Sequence, residues 1–241
     1  MTPPGIYAAR SPAGAAVLDL ATGRWKVLDP IAAGLLDLPT GRREREAAIE
    51  EATAHWAATG ADPDRVRADL TRVAADLDHL RADRTVHSAP PTPPPAVRFA
   101  PTARPTARSR AAAGVGLAAA LLLLRILPIR HVVAVARAAA RLPGRPARVQ
   151  DAEAVLAAVL AAGAWWPGRV ACLEESLAVH LAAALTGHPV RWVLGARFVP
   201  HGAHAWVVAD GHVIGQDEND RVWPYLPVLT IGSFEQVAER G

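Results

Sequence analysis

Pro90-Pro91-Thr92-Pro93-Pro94-Pro95 constrains the fold of this 241-residue chain more than any other stretch. Proline has no backbone N–H and a fixed φ, so such a run favours extended polyproline conformations and belongs to no helix or central strand. With Pro101, Pro105 and scattered arginines around it, the segment 84–110 reads as a linker that cannot bury a core. The chain is thereby divided into 1–83, 84–110 and 111–241. Hydrophobic residues make up 51% of the sequence, enough for a core on each side of the break.

The richest chemistry lies in the longer part, between Cys172 and Asp217. Cys172 is the only cysteine, so neither an internal disulfide nor a multi-cysteine metal site is open to the chain. It follows the turn signal Pro167-Gly168 and opens an apolar run at helical spacing, Leu173, Leu177, Val179, Leu181 and Leu185. Glu174 and Glu175 occupy the first turn, where carboxylates complement the helix dipole, and Gly187 offers a C-cap. The spacing therefore predicts Cys172 at a helix N-terminus, a setting that favours the thiolate and supplies N–H groups for an oxyanion.

Residues 204–209, His-Ala-Trp-Val-Val-Ala, read as a strand, and Asp210-Gly211 as a two-residue hairpin turn leading into His212-Val213-Ile214. Counting outward from that turn pairs Ala209 with His212, Val208 with Val213, Val207 with Ile214, and His204 with Asp217. Opposed side chains lie about 4.5–5.5 Å apart at Cβ, so Asp217 is the candidate that orients the His204 imidazole; Glu218 and Asp220 are the alternatives if a bulge breaks the register. Cys172 is then a nucleophile with His204 as its base. The bland reading of the same residues is a small buried thiol and a structural histidine. His180 and His201 have no fixed geometric tie to Cys172 and are read as non-catalytic.

C-L-E-E-S-L-A, followed by H-A-W-V and the D-G hairpin, resembles the transglutaminase-like cysteine proteases that mature lasso peptides, the B proteins, over roughly residues 112–232. The resemblance implies a papain-like fold with catalytic order Cys, His, Asp. That family often has Arg where this chain has Glu175 and Glu where it has Val208, differences that bear on substrate rather than nucleophile.

The shorter part reads as a strand at Ile6-Tyr7-Ala8, a hairpin of 15–20 and 24–28, and helices over 31–36, 43–58 and from Asp62-Pro63 onward. V-L-D-L-A-T-G-R-W-K-V-L-D-P resembles the PqqD-like recognition domains that bind leader peptides of ribosomal precursors. The expected fold class is α+β: a winged-helix-type domain of a three-stranded sheet and three helices, then a papain- or transglutaminase-like domain. The resemblance implies a leader added as a strand along Arg24, Trp25, Lys26 and Val27, against Arg67, Leu70 and Thr71 of the third helix. The alternative for these residues is core packing for Trp25 and a solvated face for the arginines.

Residues 111–124 are apolar without interruption. Fourteen residues fall short of the roughly 17–25 of a membrane span, so they read as a buried helix, with contact at a membrane surface as the minority alternative. A net charge of +3 and the acidic Asp64, Asp69, Asp76 and Asp78 argue against nucleic-acid binding. The lone cysteine and a start without an apolar signal segment place the expectation in the cytoplasm.

The expected function is leader removal from a lasso precursor peptide. A transglutaminase-like acyltransferase and a non-catalytic leader-binding scaffold are the alternatives. No bound cofactor or metal is expected. Only the resemblance implies a dependence on ATP and an asparagine-synthetase-like lasso cyclase as partner; the chain has no G-x-x-x-x-G-K-[ST] loop of its own.

Overall fold

The computed structural model describes residues 5–34, 42–81, 86–88, 96–98, 101–215 and 225–232. Asp217, Glu218 and Asp220 lie outside them. The chain forms two compact units, one of residues 1–20 and 24–89 and one of residues 21–23 and 90–241.

In the first unit, β1 (Ile6–Ser11) and β2 (Gly14–Asp19) form a hairpin and β3 (Arg24–Leu28) pairs antiparallel with β2. Three helices follow: α1 (Pro30–Gly34), α2 (Arg42–Ala58) and α3 (Pro63–Arg81). Asp29 caps α1 by accepting the Ala32 N–H at 2.8 Å, the role its position before Pro30 predicts. Ile6, Ala8, Val17 and Leu28 from one face of the sheet meet Ile49 of α2 and Leu70 of α3 in a single core. The expected order of strand, hairpin and three helices is therefore the order observed.

The sheet has a fourth strand that the composition hides. β4 (Val86–Ser88) runs parallel to β1, giving the order β3-β2-β1-β4, with β3 at one edge. The presumed linker is thus structured at several points. Beyond the proline run, β5 (Ala96–Arg98) joins the sheet of the second unit, and α4 (Ala107–Ile126) begins within the segment. Thr106 sets that start: its hydroxyl accepts the Ser109 N–H at 3.1 Å. Helix α4 is accordingly 20 residues long rather than fourteen, long and apolar enough to cross a membrane by length and composition alone. Its inward face, Ala112, Ala113, Gly116, Leu117 and Ala120, is buried against α6 and α7 of the same unit.

Helices α5 (Ile129–Ala139), α6 (Val149–Gly163) and α7 (Cys172–Leu185) complete the helical layer. The second sheet has the order β5-β8-β7-β6-β9, built from β6 (Arg191–Phe198), β7 (His201–Ala209), β8 (His212–Ile214) and β9 (Leu226–Ile231) with β5. The segment 198–202 is the tip of the β6–β7 hairpin, where Phe198 pairs with His201 around a cis Val199–Pro200 bond.

Candidate active site

Helix α7 begins at Cys172, as its flanking signals require. Ala171 is the N-cap, and its N–H donates to the Glu174 carboxylate at 3.2 Å. That contact fixes the first turn, and it takes the Ala171 N–H out of any oxyanion site. The thiol is half-buried.

Three contacts hold α7 in place. Gly116 of α4 lets the helices approach closely: a Cβ there would lie 2.7 Å from the Ala178 carbonyl oxygen. The Trp192 indole N–H of β6 donates to Ser176 Oγ at 2.9 Å, one turn beyond Cys172. His180 is fully buried, with Nδ1 3.0 Å from the Val190 carbonyl and Nε2 2.9 Å from the Ala136 carbonyl. It therefore ties α7 to α5 and to the residue that precedes β6.

On the sheet side, the hairpin register is the one counted from the turn: Ala209 with His212, Val208 with Val213 and Val207 with Ile214. Asp210 and Gly211 both take positive φ, 47° and 74°, as a type I′ turn demands. β8 ends at Ile214, so the continuation of the count to Asp217 falls outside the described residues. On the other side of β7, His204 pairs with Gly195 of β6.

His204 is 7% exposed and packed among rings, 5.8 Å from Trp206 and 5.2 Å from Tyr225 between centroids. By strand alternation it shares a face with Trp206, whereas Trp192 and its partner Val207 stand on the face that receives Ser176 and His180 of α7. Helix α7 packs against β7 itself. Burial pushes the Glu175 carboxyl above the usual carboxylate range, and the charge of His204 pulls it back down. Glu175 is three residues from Cys172 on α7, so the two share a helix face with Cβ atoms about 5–6 Å apart. The charge of His204 is thus felt in the first turn of α7, which carries both thiol and carboxyl. The charge pattern of the first turn suggests only a dipole role for Glu175, and its tertiary partner has no signal in the sequence.

Among the described residues no group of three His, Cys, Asp or Glu could hold a metal ion. The residues expected to bind a leader are distributed over the first unit. Arg24, Trp25, Lys26 and Val27 form β3 at a sheet edge. Leu70 is in the core. Arg67 and Thr71 line a groove between α2 and α3, where the Arg67 guanidinium grips Glu50 through Nε at 2.9 Å and Nη2 at 3.1 Å.

Residues 113–230 match the transglutaminase-like superfamily. The match covers α7, β6, β7 and β8 and ends one residue short of the end of β9. No curated protein and no solved structure matches the chain. A transglutaminase-like domain is compatible with cysteine-protease or acyltransferase chemistry, and both reactions begin with a thiolate attacking an acyl carbon.

Proposed function

We propose that the protein is a cysteine peptidase that removes the leader from a ribosomally made precursor in lasso peptide biosynthesis. One observation carries the chemistry: in a transglutaminase-like domain, the sole cysteine heads a helix that packs against β7, the strand that bears His204.

In this reading the Cys172 thiolate attacks the carbonyl at the leader–core junction. His204 gives its proton to the leaving amine, which frees the core N-terminus. The leader remains on Cys172 as a thioester until water, deprotonated by His204, releases it as a carboxylic acid and restores the thiol. Asp217 is the proposed orienting carboxylate. The first unit captures the leader, with the open edge strand β3 as the surface that receives it by β-augmentation. An asparagine-synthetase-like cyclase then consumes the freed amine, and any ATP requirement belongs to that partner or to a site elsewhere.

Incubation with the precursor peptide, followed by mass spectrometry, tests the reading. The wild-type protein yields free leader and core, and Cys172→Ala yields neither while retaining leader binding. Unchanged turnover by Cys172→Ala would leave only the scaffold role. The compatibility of the domain with acyl transfer keeps a second reading in play, in which an added amine intercepts the thioester. A product carrying leader joined to that amine, in place of leader acid, would identify it.

A further inference from the structure

Helix α4 carries an outward face that neither the core nor the proposed reaction uses. Arg108, Ala111, Val115, Ala118, Leu122 and Arg125 follow one another at steps of three and four residues, so they form one stripe along the helix. All six are exposed, as is the neighbouring Ile126. The large apolar side chains among them leave more than half of their surface to solvent: 59% for Val115, 59% for Leu122 and 63% for Ile126. The stripe is apolar along its middle and has an arginine near either end, the two about 26 Å apart at the rise of an α-helix.

The charge around the stripe has one sign. Residues 101–150 hold nine arginines and no aspartate or glutamate, in a chain whose net charge is only +3. Arg145 is paired, with Asp151 at 3.3 Å. Arg108, Arg110 and Arg125 are exposed and have no ion-pair partner among the described residues. Arginine stems lie along apolar surface while their charged heads stay at its rim, so the arginines and the apolar stripe fit the same flat, anionic partner.

We propose that this face of α4 lies on an anionic lipid surface, with Val115, Leu122 and Ile126 at the boundary of headgroups and acyl chains and the arginines on the phosphates. The inference is independent of the chemistry at Cys172. In it, the buried helix and the surface contact weighed for residues 111–124 are opposite faces of one element. Two other arrangements fit less well. α4 is long and apolar enough to span a bilayer, but spanning would strip its inward face from α6 and α7, where Gly116 has no room for a side chain beside the Ala178 carbonyl. A second copy of the chain seated on the stripe would set arginine against arginine: Arg108 on Arg108 in a parallel pair, Arg108 on Arg125 in an antiparallel one.

Co-sedimentation of the full chain with vesicles tests this. Vesicles of equal parts phosphatidylglycerol and phosphatidylcholine are the probe, and phosphatidylcholine alone is the control. The wild-type protein should sediment with the anionic vesicles and not with the neutral ones, and about 1 M salt should weaken that binding several-fold. Leu122→Glu, at a position already exposed, should lower the partition coefficient about tenfold or more. Arg108→Gln combined with Arg125→Gln should lower it several-fold. Ala118→Glu takes the place of Leu122→Glu if circular dichroism shows that variant to be misfolded. Absence of the wild-type protein from the anionic pellet overturns the proposal, and so does binding that both glutamate variants retain. A dimer by light scattering that Leu122→Glu dissolves, with no vesicle binding, overturns it in favour of a second copy.

Discussion

Glu175 and His180 lie five residues apart on α7, and burial shifts them in opposite directions. His180 is buried and its pKa is lowered from the ordinary 6.5, desolvation outweighing the two carbonyl contacts that favour the charged ring. A neutral ring donates to only one of those carbonyls. The unfolded chain therefore binds a proton near pH 6.5 that the folded one refuses, and stability falls as pH drops below that value. The thermal midpoint of the wild-type protein should decline between about pH 7 and 5.5, and His180→Gln should flatten that slope while lowering the midpoint at pH 7. For Glu175 the raised pKa has the reverse sign: its contribution is full below the unfolded value and is lost as pH rises through the folded one. Glu175→Gln should accordingly raise the melting temperature at neutral pH. Turn and capping signals made Cys172 legible as the head of a helix. The Trp192–Ser176 and His180–Ala136 contacts that seat this helix were not legible, because they join residues far apart in the chain by packing that no local pattern encodes.

At the scale of elements, the cysteine helix is held to its sheet by polar pins and to α4 across a glycine. Ser176→Ala would leave the buried Trp192 N–H without its acceptor, at a cost of about 1–3 kcal/mol, measurable as a lower urea midpoint. Gly195 stands where the β6–β9 register shifts. A Cβ there would come within 2.6 Å of the Trp206 ring and 2.7 Å of the Leu226 carbonyl. Gly195→Ala should therefore cost about 1–3 kcal/mol in overpacking, and it should also reduce turnover, because the displaced indole stacks on His204. The β7–β8 hairpin was readable from Asp210-Gly211 and the alternation around it. The strands Val86–Ser88 and Ala96–Arg98 were not, since each has three residues and owes its existence to a partner strand far along the chain. Proline content gave no sign that strands of three residues would stand at Val86–Ser88 and Ala96–Arg98.

For the whole molecule, the proposal assigns capture to one unit and chemistry to the other. Leader bound by the first unit then presents its junction at high effective concentration to the second. Free leader peptide added in trans should raise the apparent KM for the precursor without changing kcat, as steady-state kinetics would show. The most direct test of the nucleophile is the intact mass of the protein after acid quenching of a reaction with the precursor. The account predicts a species heavier by the leader less one water, absent from Cys172→Ala and accumulating when hydrolysis is slowed. Cleavage by Cys172→Ala at the wild-type rate, with no such adduct on the wild-type chain, would contradict it.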